Sequence, residues 1–207
     1  METRPLAAFD LDGTLTHRDT LLPFLHRAVG RGRTYRALLA SSLPLARAAA
    51  FGGAHRDVAK AAVLRGVLAG APLDGLAEAA EAFADHVVAQ GLRPDMRERL
   101  DWHRNEGHEL VLVSASPELY ATPIGRRLGF DTVLATRLEV ADGRLTGRLL
   151  GANCRGPEKV MRLREWRGEG LALAYAYGDS AGDREMLNLA VTAVRVSRRS
   201  TAPSPGR

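Results

Sequence analysis

The sequence has one cysteine and few aromatic residues, and both shortages narrow the kinds of protein that it can encode. Cys154 is the single cysteine, so no disulfide can form within the chain and a reducing compartment is expected. Aromatic residues make up 5% of the 207 residues. The arginines are dispersed among apolar positions, as at Arg31, Arg33, Arg36 and Arg47. Nucleic-acid-binding surfaces need clustered basic residues, ideally with aromatic residues between them, so no nucleic-acid partner is expected.

Long hydrophobic runs are also missing. The longest apolar stretch, residues 37–54, is interrupted by Pro44 and Arg47 and falls short of the roughly 20 residues that cross a bilayer. An acidic motif begins at Asp10, which leaves no room before it for a signal peptide. Hydrophobic residues make up 45% of the chain, and the net charge is only +5. We therefore expect a globular cytoplasmic protein without a transmembrane segment.

Short apolar runs separated by helical patterns predict an α/β fold. Five runs are typical of strands, at residues 6–9, 110–113, 132–135, 171–177 and 191–196. Helical patterns lie between the later runs, at residues 94–106, 122–128, 157–166 and 183–189. Strands that alternate with helices form a parallel sheet with helices on both faces. Residues 137–149 instead alternate around Asp142-Gly143, which predicts a β-hairpin.

A long alanine-rich segment separates the first two predicted strands. From residue 20 to about residue 91 the pattern is helical and contains no strand, which predicts three or four helices. Because the segment follows the first strand, it can form a lid above the edge of the sheet. We expect a core domain from residues 1–16 and 92–200, a helical cap domain from residues 17–91, and a disordered tail at residues 201–207.

Polar side chains follow three of the predicted strands. Asp10 and Asp12 follow the first, Ser114 the second and Asp179 the fourth, and ligands of parallel sheets bind beyond such strand ends. Gly13 lets the backbone turn, so that both carboxylates of the first motif can approach one ligand. Two adjacent carboxylates need a cation or a shared proton, and Mg²⁺ prefers such oxygen ligands. An isolated Asp-x-Asp is also typical of an aspartate that caps a turn.

Two further charged residues lie early in predicted helices. Asp183 follows Asp179 by one helical turn, where it can orient neighbouring groups or interact with the helix dipole. Lys159 is unfavourable for a helix dipole at its position, unless its ammonium faces a carboxylate and a phosphate. Taken alone, Lys159 also fits an ordinary surface lysine.

These residues together resemble a known family. In chain order, they resemble the four motifs of haloacid-dehalogenase-like phosphohydrolases: Asp10-Leu11-Asp12-Gly13-Thr14, Ser114, Lys159, and Gly178-Asp179-Ser180-x-x-Asp183. The resemblance covers nearly the whole chain. The position of the predicted cap and the residues around Ser114 and Asp179 are similar to those of subfamily IB, the branch containing phosphoserine phosphatase. The resemblance implies a Rossmann-like three-layer parallel-sheet core with a helical cap inserted after the first strand.

The resemblance also implies a magnesium-dependent phosphatase that acts in two steps. Asp10 would attack the phosphorus and become an aspartyl phosphate, while Asp12 would protonate the leaving alcohol and later deprotonate water. The side chains of Asp10 and Asp179 and the backbone carbonyl of Asp12 would bind Mg²⁺, and Asp183 would hold metal-bound water. The resemblance assigns the phosphoryl oxygens to Gly13, Thr14, Ser114 and Lys159.

The predicted cap departs from phosphoserine phosphatases. Asp19 lies where those enzymes have an acidic residue that recognises the amino group of the substrate, but Leu64, with Arg65 beside it, replaces their carboxylate-binding arginine. Gly13 stands where they commonly have serine. We expect a small phosphomonoester substrate, either phosphoserine-like or another amino-alcohol phosphate such as histidinol phosphate. A phosphotransferase, a lipid-phosphate phosphatase and a catalytically inactive binding module are alternatives, and a monomer and a homodimer both remain open.

Overall fold

The structure is a computed structural model that describes residues 4–168 and 170–197. Its strands are β1 (Leu6–Phe9), β2 (Glu109–Pro117), β3 (Thr132–Thr136), β4 (Leu138–Ala141), β5 (Arg144–Leu149), β6 (Leu173–Gly178) and β7 (Ala190–Arg195). Its helices are α1 (Leu21–Val29), α2 (Arg31–Ala40), α3 (Ser42–Phe51), α4 (Ala54–Leu68), α5 (Leu73–His86), α6 (Pro94–Asn105), α7 (Glu118–Arg127), α8 (Pro157–Arg167) and α9 (Arg184–Leu189). The tail predicted at residues 201–207 lies outside the described residues.

A five-stranded parallel sheet forms the centre of the fold, in the order β3-β2-β1-β6-β7. Alternate residues of a strand point to opposite faces, and β1 is buried on both. Ala7 and Phe9 belong to one hydrophobic cluster, whereas Leu6 and Ala8 belong to another. Helices therefore cover both faces of the sheet, and the predicted three-layer α/β fold with its five parallel strands is confirmed. The predicted hairpin around Asp142 is also confirmed as β4 and β5.

Residues 20–91, in the segment between β1 and α6, contain five α-helices, α1–α5, which we call the helical block. The prediction of three or four helices was wrong because it missed a break between α2 and α3 at Ser41. Pro44 has no amide hydrogen, so it cannot donate to the carbonyl of Ala40, and this helical hydrogen bond is missing at the junction although Ser41 is bonded to both helices. Gly30 separates α1 from α2 and Gly52 separates α3 from α4, both with positive φ, and α4 and α5 are separated at the third predicted break, Ala71-Pro72.

Two adjacent chain segments join the helical block to the sheet. A wide turn over Leu11–Leu15 leads out of β1, and Thr16 then pairs with Leu92, which lies just before α6. The Arg93 N–H donates to the Leu15 carbonyl at 2.9 Å. The chain therefore enters and leaves the helical block at one place, beside the end of β1. None of the described helices is long and apolar enough to cross a membrane.

Candidate active site

A cavity of about 240 Å³ lies beyond the carboxyl ends of β1, β2 and β6. Asp10 directly follows β1, and Asp179 directly follows β6, which pairs with β1. The helical block contributes part of the wall through α4. The residues that line the cavity are Asp10, Asp12, Gly13, Asp19, Leu21, Arg56, Asp57, Lys60, Ala115, Ser116, Asn153, Arg155, Lys159, Asp179, Ser180, Gly182 and Asp183.

Lys159 joins two of the carboxylates at the floor of this cavity. Its Nζ donates to Asp10 Oδ1 and to Asp183 Oδ1, both at 2.6 Å, and to the carbonyl of Val113 at 2.7 Å. Burial alone would lower the pKa of Lys159, but the charges of Asp10 and Asp183 raise it above its ordinary value. Lys159 is therefore a buried, permanently charged ammonium beside Asp10, and the alternative of a surface lysine is wrong.

Asp10 is buried and surrounded by charge. Burial raises its pKa to about 7, and Asp183 and Asp12 act in the same direction, while Lys159 opposes them. The Thr14 hydroxyl donates to Asp10 Oδ2 at 3.2 Å, and the backbone N–H of Asp10 donates to the Tyr177 carbonyl. The carboxyl group is thus held on both oxygens, in a site where burial outweighs the Lys159 ammonium and a second cation would favour its negative charge.

Three carboxylates could share such a cation. Ligand oxygens of Asp10, Asp179 and Asp183 all lie within 4.8 Å of one another. Gly13 permits this approach, since it has a φ of +80° and a Cβ built on it would lie 2.3 Å from Asp179 Oδ2. Hard oxygen ligands at this separation fit Mg²⁺. The residues therefore suit the predicted ion, and Asp183 lies within the carboxylate cluster itself.

Asp12 has surroundings different from those of Asp10. Its Oδ1 accepts hydrogen bonds from the backbone N–H of Thr20 at 2.7 Å and from the hydroxyl of Thr20 at 2.6 Å. Its Oδ2 accepts from the Ser116 hydroxyl, which itself accepts from the Tyr120 hydroxyl at 2.7 Å. Burial raises the pKa of Asp12 to about 6, and the nearby charge of Asp19 adds to the shift. Asp12 is thus oriented by hydroxyl groups, and its pKa is raised toward neutral pH.

The structure places two of the predicted phosphate-binding residues behind the cavity. Thr14 and Ser114 are both buried and are absent from the described residues that line it. The Ser114 hydroxyl accepts from the backbone N–H of Ser116 at 3.0 Å, and Ser116 is the residue that reaches the cavity. Gly13 and Lys159 do line the cavity.

The cap residues that were singled out occupy distinct positions. Asp19 is exposed and lines the cavity, and its Oδ1 accepts from the N–H of Leu21, the first residue of α1, at 2.9 Å. Leu64 is fully buried in the core. Arg65 is exposed, and it is not among the described residues that line the cavity. Arg56, one helical turn before Lys60, is a cation of α4 that does line it. Matching Leu64 to the carboxylate-binding arginine of phosphoserine phosphatases therefore missed Arg56 and Lys60, the basic residues of α4 that line the cavity.

Lys60 links α4 to the core. Its Nζ donates to the carbonyl of Ala115 and to Asn153 Oδ1, the latter at 2.6 Å, while Asn153 Nδ2 donates to Asp57 Oδ1 at 2.6 Å. Burial lowers the pKa of Lys60 to about 8, although Asp12, Asp19 and Asp57 act in the opposite direction. A lone lysine between alanines was the one signal in the sequence that could have pointed to it.

The single cysteine takes no part in this chemistry. Cys154 is buried against the sheet, and its Sγ lies 3.6 Å from the carbonyl of Leu134, to which it donates. Burial raises the pKa of its thiol to about 11, so the thiol stays protonated. Cys154 therefore acts as a small buried side chain.

Comparisons with known proteins agree with this arrangement. A family model described as haloacid dehalogenase-like hydrolase matches residues 7–188. Protein CicA of Caulobacter vibrioides is 41% identical over 186 residues, which cover 89% of this chain and 82% of that protein. Phosphoserine phosphatase SerB1 of Mycobacterium tuberculosis is 33% identical over 199 residues, covering 92% of this chain and 64% of the relative. A crystal structure of a protein of unknown function from Bordetella pertussis has a TM-score of 0.75 and 32% identity, covering 90% of this chain and 86% of that one.

Proposed function

The chain belongs to the haloacid dehalogenase-like hydrolases, as a phosphatase of their phosphoserine-phosphatase-like branch, and we propose that it hydrolyses small phosphomonoesters through an aspartyl phosphate on Asp10. The observation that carries this proposal is the contrast between two carboxylates of one motif. Asp10 lies against the Lys159 ammonium, whereas Asp12 is held by the hydroxyls of Thr20 and Ser116. A nucleophile and a proton donor need such different surroundings.

In the first proposed step, a carboxylate oxygen of Asp10 attacks the phosphorus of the substrate. A bond forms between this oxygen and phosphorus while the bond from phosphorus to the alcohol oxygen breaks, and the Asp12 carboxyl transfers its proton to that oxygen. Lys159, 2.6 Å from Asp10 Oδ1, offsets the negative charge that the phosphoryl group brings. Thr14, Ser114 and the Gly13 amide remain proposed ligands of the phosphoryl oxygens.

In the second step, the Asp12 carboxylate removes a proton from water, and the water oxygen attacks the phosphorus. The bond between phosphorus and Asp10 then breaks, which releases phosphate and regenerates both carboxyl groups. Thr20 and Ser116 hold Asp12 in one orientation during both transfers. Asp10, Asp179 and the Asp12 backbone carbonyl would hold Mg²⁺, which would lower the repulsion between the Asp10 carboxylate and the phosphoryl oxygens. Asp183 helps to orient this site through Lys159.

The charges on the helical-block side of the cavity support a proposal for the substrate class. Asp19 and Asp57 offer negative charge to a substrate ammonium, and Arg56 and Lys60 offer positive charge to a carboxylate. A small amino-acid phosphate fits both kinds of charge and a cavity of about 240 Å³, whereas an amino-alcohol phosphate fits the negative charges alone. We propose that the helical block, residues 17–91, is a cap that selects this substrate, over a core formed by residues 1–16 and 92–200.

Substitution of Asp10 tests the nucleophile. We expect Asp10→Asn to lower phosphate release by about 10³-fold or more, because the amide cannot attack phosphorus efficiently. The measurement is phosphate release in the presence of Mg²⁺ from phosphoserine, histidinol phosphate, sugar phosphates, nucleotides and lipid phosphates. Adding alcohols to the same reactions detects transfer of the phosphoryl group to an acceptor other than water. Asp142→Asn is the matched control, because Asp142 is an exposed turn residue that is not among the described residues lining the cavity. Full activity of Asp10→Asn would show that Asp10 is not the nucleophile.

A further inference from the structure

One part of the chain carries charge of a single sign. Residues 20–56, which form α1–α3 and the start of α4, contain no aspartate or glutamate, although the whole chain has 24 acidic residues. The same residues include six arginines, namely Arg27, Arg31, Arg33, Arg36, Arg47 and Arg56. Within the described part of the chain, no carboxylate forms an ion pair with Arg31, Arg36 or Arg47. Residues 20–56 therefore carry positive charge without any carboxylate of their own.

The same helices expose large hydrophobic side chains. Six of the ten large hydrophobic residues that are exposed in the described part of the chain lie within residues 22–58. Leu39 is 75% exposed, Phe51 is 73% exposed and Leu43 is 60% exposed. Isolated exposed apolar residues are normal, but a concentration of them on a few neighbouring helices marks an interaction surface.

Spacing along α2 and α3 brings these groups together. Tyr35 and Leu39 are four residues apart on α2, and Leu43, Arg47 and Phe51 follow at the same interval on α3, so neighbours in each helix share a face. Ser41 joins the two helices, with its N–H bonded to the Ala37 carbonyl and its carbonyl bonded to the Leu45 N–H. The helical path thus continues through the junction. We call Tyr35, Arg36, Leu39, Leu43, Arg47 and Phe51 the α2–α3 face.

We infer that the α2–α3 face docks the protein on an anionic lipid bilayer. Helices that lie on membranes combine arginine or lysine with exposed leucine and phenylalanine, which enter the boundary between headgroups and acyl chains. The absence of carboxylates in residues 20–56 removes the repulsion that an anionic surface would otherwise meet. The occupant to which this inference commits is therefore a bilayer that contains acidic phospholipid.

Two other occupants fit the face less well. A symmetric dimer through this face would bring two sets of uncompensated arginines together, which opposes association. A nucleic acid would be attracted by the arginines but would leave Leu39 and Leu43 without apolar partners. The bilayer satisfies the charge and the apolar side chains at once.

The α2–α3 face also adjoins the candidate active site. Phe51 ends α3, and its ring lies 5.4 Å from that of His55 on α4, the residue before Arg56, which lines the cavity. Docking would therefore hold the cavity near the membrane surface. The inference goes beyond the proposed function, because binding to a bilayer does not require phosphatase activity and can be measured without it.

The experiment is flotation of the full chain with vesicles of phosphatidylcholine alone or of phosphatidylcholine mixed with phosphatidylglycerol. We expect binding to the mixed vesicles only, and weaker binding as the salt concentration rises above about 0.1 M. Arg36→Glu combined with Arg47→Glu should weaken binding by at least about tenfold, since one arginine near an anionic surface contributes about fivefold. Leu39→Ser combined with Phe51→Ser should also release the protein from the vesicles.

Matched controls separate these effects from general loss of charge or hydrophobicity. Arg164→Glu on α8 and Val191→Ser on β7 change exposed residues outside the α2–α3 face and should leave vesicle binding unchanged. The Asp10→Asn variant should bind vesicles as the wild type does, so the test of membrane binding is independent of the test of the proposed phosphatase activity. Equal binding to both vesicle types, or binding to neither, would overturn the inference. Oligonucleotide binding or dimerisation that the α2–α3 variants abolish, without vesicle binding, would assign the face to those occupants instead.

Discussion

At the scale of single residues, the candidate site depends on the close approach of Asp179 to Gly13, which only a glycine permits at that position. Gly13 has a left-handed backbone, and its Cα lies so close to the Asp179 carboxylate that an added Cβ would stand 2.3 Å from Oδ2. The sequence singled out Gly13 for its amide and for its departure from a serine. Its effect on the position of Asp179 depends on the distance between two strand ends and could not be predicted.

Gly13→Ala should therefore damage the carboxylate cluster more than the fold. We expect it to lower kcat/KM by about 10²-fold and to raise the Mg²⁺ concentration needed for half-maximal activity, because Asp179 must move away. Gly143→Ala is the matched control: Gly143 also has positive φ, but nothing lies within 4 Å of its added Cβ. Both variants share the backbone cost of about 1 kcal/mol in unfolding free energy. An unchanged Mg²⁺ dependence in Gly13→Ala would contradict this explanation.

At the scale of elements, α4 is the helix that connects the helical block to the candidate site. Two residues one turn apart, Asp57 and Lys60, both bind Asn153 of the core, and Lys60 also binds the Ala115 carbonyl. An ammonium has three donors, and these contacts use two of them. The third can serve a ligand in the cavity that Lys60 lines.

Lys60→Met should therefore affect substrates according to their charge. We expect KM for phosphoserine to rise about tenfold or more, since its carboxylate loses a partner, while KM for p-nitrophenyl phosphate changes little. Arg65→Met on the same helix is the matched control, because Arg65 is exposed outside the cavity lining among the described residues. An equal rise in KM for both substrates would show that Lys60 holds the helix in place without selecting the substrate.

At the scale of the whole molecule, the sheet could be predicted better than the contacts between the helical block and the core. Period and composition predicted the five strands, and parallel order then places Asp10 and Asp179 at one edge, as observed. Thr20 and Ser116 were missed because their contacts with Asp12 join residues 8 and 104 positions apart, and Tyr120 was missed because it acts on Asp12 through Ser116. No local pattern encodes such contacts, since they arise only when the helical block and the core pack together.

A buried histidine links α6 to the sheet and should make the stability of the whole molecule depend on pH. His103 Nδ1 lies 2.7 Å from His108 Nδ1, and its Nε2 lies 2.9 Å from the Tyr177 hydroxyl. Burial lowers the pKa of His103 to about 3, and the charges of His108 and Arg99 add to the shift. The unfolded chain, in which the pKa of histidine is about 6.5, then binds more protons than the folded chain between these two values.

The contribution of His103 to stability should be complete above about pH 6.5 and should decline as the pH falls toward about 3, by at most about 1.4 kcal/mol per pH unit. Asp10 and Asp12, whose pKa values are raised, act in the opposite direction, so a variant must isolate the histidine. Urea unfolding of wild type and His103→Gln at about pH 7.5 and pH 5 makes that comparison. We expect the variant to be less stable at the higher pH and the difference to shrink at the lower one, while His55→Gln, an exposed control on α4, follows the wild type. A difference that stays constant with pH would mean that His103 contributes packing alone.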